Sequence, residues 1–156
     1  MILNMNQLKC KKTYLRDGRA PIPESEITSK VMSANKGKNT KPELLLRKAL
    51  WNNGIKGYRL HWKKVPGKPD IAFPGKKIAI FVNGCFWHRC PICDPSMPKS
   101  NIKFWTEKFN KNIERDQKKI EALKALNWKV LTIWECELKK DLHLQVQKVK
   151  NLLEEP

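Results

Sequence analysis

The 156-residue chain carries 32 lysines and arginines against 15 acidic residues, a formal net charge of +17. That length suits one domain with a full core plus a tail, and the charge favours a polyanionic partner, nucleic acid ahead of a membrane surface. The sequence shows neither a signal-peptide pattern nor an apolar run of about eighteen residues, so no membrane association is predicted and we expect an intracellular protein.

Residues 1–38 form a basic arm that precedes the predicted domain at 39–156. The arm contains Pro21 and Pro23 and has no sustained hydrophobic periodicity. Its composition is typical of a disordered tail and also of a nucleic-acid-binding extension, and the residues alone leave both readings open. Cys10 lies in this arm, far along the chain from the other four cysteines.

The first predicted helix begins at Thr40. The sequence Thr-Lys-Pro-Glu at 40–43 is a capping box with proline in the first turn, and Asn53-Gly54 is a stop signal. Apolar residues then alternate with Arg59 and His61 over 58–62, which predicts a strand with those two side chains on its solvent-exposed face.

A hairpin is predicted next, with strands at 71–73 and 78–82 around a turn at Pro74-Gly75. The second strand is almost wholly apolar, which is typical of a central strand buried on both faces. Apolar residues at helical spacing between 102 and 126 predict the longest helix, capped by Ser100. A strand at 128–134 and a helix at 141–153 complete a mixed α/β fold with helices on both faces of one sheet.

Four cysteines form the predicted metal site. Cys85, Cys90 and Cys93 follow one core strand, and Cys136 follows another. Four thiolates brought together at the ends of two strands are the ligand set that structural zinc prefers. His88 in place of one cysteine remains an alternative ligand.

A carboxylate site is predicted beside the hairpin. Pairing of its strands would bring Asp70 level with the backbone around Val82, and one carboxylate with a main-chain carbonyl suits magnesium. Glu43 and His88 could face the same cleft, the histidine as a proton-transfer group. The residues alone also allow structural roles for all three side chains, with Asp70 in a turn, Glu43 as a helix cap and His88 as a structural histidine.

Two adjacent aromatic residues, Phe86 and Trp87, lie in the glycine-led turn between the cysteines. Aromatic wedges that enter a base stack cost least at a mismatched pair, so these rings predict selectivity for defective DNA. The sequence allows two locations for the Trp105 side chain. Its spacing with Phe109 is typical of a buried helix face, whereas its position in the first helical turn would let it project toward the same DNA-binding groove as Phe86 and Trp87. The other tryptophans are predicted to serve packing: Trp51, Trp62, Trp128 and Trp134.

Several segments resemble the very short patch repair (Vsr) DNA mismatch endonucleases over about residues 28 to 138. The matching segments are Pro-Gly-Lys-Pro-Asp at 66–70, Phe-Val-Asn-Gly-Cys-Phe-Trp-His at 81–88, Phe-Trp at 104–105, Asn-Ile-Glu-Arg-Asp at 112–116 and Trp-Glu-Cys at 134–136. The resemblance implies a restriction-endonuclease-like core with structural zinc and catalytic magnesium. It also implies a nick on the 5′ side of the thymine in T:G mismatches left by deamination of 5-methylcytosine.

The resemblance further implies individual catalytic roles. Asp70 and the carbonyl of Val82 would bind magnesium. His88 would transfer a proton or orient water, and Glu43 would support the site through water. Asn83 stands where a well-studied pattern has histidine, which would leave His88 as the only imidazole of the site.

DNA contacts are implied in the same way. Phe86, Trp87 and Trp105 would insert beside the mismatch, and Met32 would approach the opposite groove. The resemblance implies a monomer in the bacterial cytoplasm, acting on nucleoid DNA and functionally linked to a DNA cytosine-5 methyltransferase. The cysteine spacing departs from the family pattern, which makes the expected zinc ligands four thiolates.

Two other functions remain open. One is a nuclease of a different target specificity, and the other is a zinc-stabilised DNA-binding module in which Asn83 marks lost catalysis.

Overall fold

The computed structural model describes residues 26, 30 and 33–155. Within them, a four-stranded mixed sheet has the order β1-β2-β3-β4. The strands are β1 Arg59–Leu60, β2 Ile71–Phe73, β3 Ile78–Asn83 and β4 Lys129–Trp134. The first three pair antiparallel and β3 pairs parallel with β4, so the predicted hairpin and the later strand are confirmed.

Among residues 39–155, three helices lie where the sequence predicts them, and two short ones were not predicted. The helices are α1 Lys41–Asn52, α2 Cys85–His88, α3 Ile102–Ala125, α4 Glu135–Lys140 and α5 Leu142–Glu154. The capping box at Thr40 is confirmed. The predicted cap at Ser100 is wrong, because Asn101 takes the N-cap position of α3 in a left-handed conformation without a side-chain cap.

Helices cover both faces of the sheet, as predicted. Strand β3 is buried along almost its whole length, and its alternate residues enter two separate cores. One face packs against α1 and α5 through Leu46, Leu50, Ile78, Ile80, Val146 and Val149. The other face packs against the end of α3 through Ala79, Phe81, Leu123 and Trp128.

The parallel pairing of β3 and β4 brings the C-terminal ends of both strands to one edge of the sheet. Val82 is level with Ile133, and Asn83 is level with Trp134. Helix α2 begins one residue past Gly84, and helix α4 begins directly after Trp134. The residues that follow the two strands are therefore neighbours in space although they are about fifty positions apart in sequence.

Two predictions about exposure are wrong. Trp51 was predicted to pack, but it is 58% exposed at the end of α1 and lies under the Lys56 ammonium at 4.5 Å. His61 was predicted to lie on a solvent-exposed strand face, but β1 ends at Leu60 and His61 has a φ of 45°. That left-handed backbone interrupts strand alternation, and the His61 side chain is only 15% exposed.

The remaining tryptophans are more protected, with Trp62 and Trp128 in ring contact at 5.6 Å. No helix among the described residues has the length and apolar character needed to cross a membrane.

Candidate active site and thiolate cluster

Four cysteine sulfurs converge at the edge of the sheet where β3 and β4 end. The Sγ atoms of Cys85, Cys90, Cys93 and Cys136 all lie within 4.8 Å of one another. Cys85 opens helix α2 and Cys136 lies in α4, so the parallel strand pair sets the distance between them. The loop after α2 contributes the other two sulfurs.

These thiols are free, and backbone groups already point at two of them. Sγ of Cys90 is 3.6 Å from Sγ of Cys136, well beyond the roughly 2.05 Å of a disulfide. Cys85 accepts a hydrogen bond from the Cys136 N–H at 3.3 Å, and Cys90 accepts one from the Ile92 N–H at 3.4 Å. Such a set of soft donors fits a tetrahedral metal site.

The pKa values of the thiols differ with their surroundings. Burial raises the pKa of the Cys85 thiol well above its ordinary value. Burial also acts to raise the pKa of Cys90, but hydrogen bonds from the backbone N–H groups of Cys93 and Ile92 outweigh it and lower that pKa. The lowered pKa favours the thiolate form of Cys90, which is the form that binds a metal.

A second group of ligand-type side chains lies where β2 begins. One atom each from Glu43, His61 and Asp70 lie within 4.8 Å of one another. Asp70 Oδ2 accepts a 2.8 Å hydrogen bond from the backbone N–H of Val82. The hairpin therefore brings Asp70 level with Val82, as the sequence predicted.

Glu43 serves both as a helix cap and as a member of this cluster. It is buried, and it accepts hydrogen bonds from Thr40 Oγ1 at 2.9 Å, the Asn39 N–H at 3.0 Å and Arg47 Nη2 at 2.8 Å. Its Oε2 also lies 3.5 Å from Nε2 of His61. The capping role suggested by the sequence is confirmed, and the same carboxylate contributes to the site.

His61 is a site residue that sequence reasoning missed. Its Nδ1 lies 3.6 Å from Oδ1 of Asp70, so the expectation that His88 is the only imidazole of the site is wrong. The available signal was the short Pro-Gly-Lys-Pro loop at 66–69, which separates His61 from Asp70 by only nine positions. The apolar alternation over 58–62 indicated a strand instead.

The carboxyl group of Asp70 has a raised pKa. Burial is the largest cause, opposed by the hydrogen bond from Val82 and reinforced by the negative charge of Glu43. His61 and Arg47 act in the lowering direction. A buried acid whose charge is only partly compensated is a good place for a cation to bind.

His88 is paired with an acid on the long helix. Its Nδ1 hydrogen-bonds Oδ2 of Asp116, and Lys119 Nζ lies 2.7 Å from the other oxygen of that carboxylate. Burial acts to raise the pKa of Asp116, but the hydrogen bonds from His88 and Lys119 hold it below its ordinary value. The pairing with Asp116 gives His88 a place outside the thiolate cluster, so its alternative role as a metal ligand there finds no support.

One cleft of about 1190 Å³ connects the cluster of Glu43, His61 and Asp70 with His88. Its lining includes the candidate polar residues Glu43, His61, Asp70, Asn83 and His88. Several lysines also line it, namely Lys36, Lys38, Lys41, Lys68, Lys108 and Lys119. The cleft is therefore a basic groove with an acidic centre, which suits a polyanion that binds there together with a cation.

The predicted aromatic residues form one cluster at the edge of the cleft. The Phe86 ring contacts Trp87 at 5.1 Å, Phe109 at 5.2 Å and Trp105 at 5.6 Å between centroids. Trp87 and Trp105 line the cleft together with Phe104, although Trp105 is largely buried. Phe86 is not part of the cleft lining, so Trp87 is the ring of the adjacent pair that faces the cleft. Met32 lies outside the described residues.

Comparison with known proteins bears on this site. A sequence model of the family described as DNA mismatch endonuclease Vsr matches residues 22–92. The type II nicking enzyme V.XorIIP of Xanthomonas oryzae pv. oryzae is 40% identical over 124 residues, which is 80% of this chain and 90% of that protein. The chain belongs to the Vsr family of DNA mismatch endonucleases.

Two further relatives agree with this assignment. The DNA mismatch endonuclease Vsr of Escherichia coli strain K12 is 34% identical over 136 residues, covering 87% of this chain and 86% of that protein. The type II nicking enzyme V.NmeAIP of Neisseria meningitidis serogroup A is 45% identical over 109 residues, covering 70% and 77%. Membership in the Vsr family makes the chain a DNA endonuclease, a hydrolase whose substrate is DNA.

Proposed function

We propose that this Vsr-family protein nicks one strand of double-stranded DNA on the 5′ side of the thymine in a T:G mismatch. The observation that carries the proposal is one basic cleft lined by the Asp70 cluster, by His88 and by the ring of Trp87. In that arrangement a distorted base pair and the adjacent phosphodiester would meet recognition and cleavage groups together.

Asp70 and the carbonyl of Val82 are the proposed magnesium ligands. The N–H of Val82 points at Asp70, and in an extended strand the C=O of a residue lies on the same side as its N–H. Carboxylate and carbonyl oxygens are the hard donors that magnesium accepts, and Glu43 lies close enough to assist through water. When bound, magnesium supplies charge neutralisation and Lewis-acid activation at the phosphate.

His88 is the proposed proton-transfer residue. Its Nδ1 is engaged by Asp116, which leaves Nε2 as the ring nitrogen able to exchange a proton with substrate or water. The carboxylate of Asp116 thereby fixes both the tautomer and the orientation of the ring. Asn83 lines the same cleft and can only donate and accept hydrogen bonds, so its proposed part is to orient a phosphate or a water.

Zinc is the proposed ion for the cluster of Cys85, Cys90, Cys93 and Cys136. Four thiolates would leave no open coordination position, so the role would be structural. The ion would tie the start of α2 to α4 and to the intervening loop. That tie would hold Phe86 and Trp87 at a fixed distance from the acid cluster.

The aromatic cluster is the proposed mismatch wedge. Trp87 lines the cleft and would meet the base stack first, and Phe86 and Trp105 would insert or support it from behind. A T:G pair costs less to unstack than a Watson–Crick pair, which gives the wedge its selectivity. Met32 in the basic arm would approach the opposite groove.

The proposal extends to the setting of the reaction. The mixed sheet with its acid at the start of β2 suits a restriction-endonuclease-like core. We propose that the protein acts as a monomer in the bacterial cytoplasm on nucleoid DNA, and that it serves a DNA cytosine-5 methyltransferase whose product deaminates to thymine.

A nicking assay tests the catalytic part of this proposal. Full-length protein is incubated with magnesium and a T:G duplex labelled on the thymine strand, beside an Asp70→Ala variant. Wild type should produce a single nick, and the variant should lose at least about a thousandfold in rate, as expected when a metal-binding carboxylate is removed. Tight binding without scission by either protein would indicate a binding module instead.

A further inference from the structure

Arg47, His61 and Asp70 form a chain of contacts that leads into the proposed magnesium site. Nη2 of Arg47 lies 3.0 Å from Nε2 of His61, and Nδ1 of His61 lies 3.6 Å from Oδ1 of Asp70. The side chains of Arg47 and His61 are only 11% and 15% exposed. These contacts are therefore protected from the solvent that weakens surface ion pairs.

The chemistry of arginine assigns the tautomer of His61. A guanidinium has five N–H donors and no acceptor, and it stays protonated in proteins. The His61 nitrogen that faces Arg47 must therefore be the one without a proton, which places the ring proton on Nδ1. That nitrogen is the one that faces Asp70.

Glu43 reinforces this assignment. Its Oε2 lies 3.5 Å from Nε2 of His61 but accepts a 2.8 Å hydrogen bond from the same Arg47 nitrogen. Arg47 Nη1 is held at 2.7 Å by the Asn39 side chain. The guanidinium is thus fixed by two other acceptors, and it cannot turn its donors away from the imidazole without breaking those bonds.

We propose that His61 is a positioning residue that orients the Asp70 carboxylate, with Arg47 holding its ring in the Nδ1–H tautomer. The Val82 N–H donates to Oδ2, and Nδ1 of His61 faces Oδ1 from 3.6 Å, so a different N–H group faces each oxygen of Asp70. The His61 backbone N–H also donates to the Asp70 carbonyl at 3.2 Å. The 3.6 Å separation needs to shorten by only a few tenths of an ångström to become a normal hydrogen bond.

Such an arrangement would act on cation binding. A carboxylate held by two donors keeps its remaining lone pairs in a fixed direction, and loss of a group that orients a metal ligand typically costs ten- to hundredfold in metal affinity or activity. This inference rests on the proposed function only in taking Asp70 as a cation ligand.

The tautomer can be measured without any variant or metal. Long-range ¹⁵N–¹H NMR of the full-length, magnesium-free protein at neutral pH should show the His61 ring protonated on Nδ1 and bare on Nε2. A ring protonated on Nε2, or on both nitrogens, would overturn the proposal.

Variants test the effect on cation binding. His61→Gln keeps an N–H donor group and an acceptor, whereas His61→Leu has a similar size and has neither. Binding of Mn²⁺, which takes the same oxygen ligands as magnesium, is followed by electron paramagnetic resonance of the free ion. His61→Leu should bind Mn²⁺ at least about tenfold more weakly, and His61→Gln should recover most of that loss.

A distant, exposed histidine supplies the matched control. His143→Leu, on α5, should bind Mn²⁺ as wild type does. If His61→Leu binds as tightly as wild type, or if His61→Gln is no better than His61→Leu, the proposal is wrong. Neither experiment uses DNA. The role of His61 can therefore be judged even if the protein does not nick T:G mismatches.

Discussion

The backbone N–H of Val82 donates a 2.8 Å hydrogen bond to Oδ2 of Asp70, twelve residues earlier in the chain. Strands β2 and β3 pair antiparallel with Ile71 opposite Ile80, so the residue just before β2 lies beside the residue near the end of β3. The tight turn between the strands thus fixes the position of the acid. The site is built into the sheet and does not depend on a loose loop.

Asp70→Asn should abolish nicking and raise the stability of the magnesium-free protein at neutral pH. The raised pKa of Asp70 comes chiefly from burial, so its ionised form is unfavourable in the folded state. A raised folded pKa costs stability as pH rises above the ordinary carboxyl value of about 3.9, and an amide carries no such cost. Thermal unfolding at several pH values measures the difference between variant and wild type.

The stability difference for Asp70→Asn should shrink as the pH falls toward 4 and the wild-type acid becomes protonated. Glu121→Gln, an exposed substitution on α3, is the control and should change neither stability nor nicking. A variant less stable than wild type at neutral pH would show that the hydrogen bond to Val82 outweighs the cost of burial.

Asp116→Asn should have the opposite effect on stability. Hydrogen bonds from His88 and Lys119 outweigh burial and lower the pKa of Asp116, so its ionised form stabilises the fold. That contribution is present above about pH 3.9 and is lost as pH falls through the lower folded pKa. In urea unfolding, the variant should have a lower free energy of unfolding than wild type near neutral pH and the same free energy in strong acid.

The same Asp116→Asn variant should nick about a hundredfold more slowly, because His88 loses the group that fixes its tautomer. DNA binding measured without magnesium should be little changed. Equal nicking rates for variant and wild type would remove Asp116 from the mechanism.

Cys136→Ser should reduce the metal content and the stability of the protein. Purified wild type should hold about one zinc per chain, and losing one of four ligands should lower the melting temperature by about 10 °C or more. Cys10→Ser is the matched control and should keep full zinc content. Elemental analysis measures the zinc content, and thermal unfolding measures the melting temperature. An unaltered melting temperature for Cys136→Ser would contradict a structural role for the metal site.

Trp87→Ala and Phe86→Ala should fail in different ways. Trp87 lines the cleft, so its loss should reduce the preference for T:G over T:A duplexes about tenfold or more with modest change in stability. Phe86 contacts three other rings, so its loss should cost about 2 to 4 kcal/mol of unfolding free energy. Nicking assays and urea unfolding of both variants separate the two effects.

Local patterns predicted most of the fold. The capping box at Thr40, the apolar run of β3 and the spacing of α3 are each set by neighbours in sequence, and all are confirmed. The gathering of Cys85 with Cys136 was also predictable, because each follows a core strand and adjacent parallel strands end at one edge of the sheet.

Sequence reasoning failed where a single backbone angle or a distant contact decides the result. His61 leaves the strand pattern through a φ of 45°, and its backbone N–H donates to the Asp70 carbonyl, a contact that the residues around His61 do not reveal. Asp116 ends the family-like segment at 112–116, but nothing local to the long helix indicates that its partner is His88, 28 positions away. The prediction that Trp51 packs in the core is wrong because hydrophobicity alone does not say which side of a helix end faces the core.

Mapping the nick on matched duplexes tests the central claim most directly. Duplexes of identical sequence that contain T:G, T:A, C:A or C:G at one position are labelled on each strand in turn and incubated with wild-type protein and magnesium. The account predicts one nick, 5′ of the thymine, in the T:G duplex and at least about a hundredfold less cleavage of the others. Equal cleavage of the T:A duplex, or cutting of the guanine strand, would contradict it.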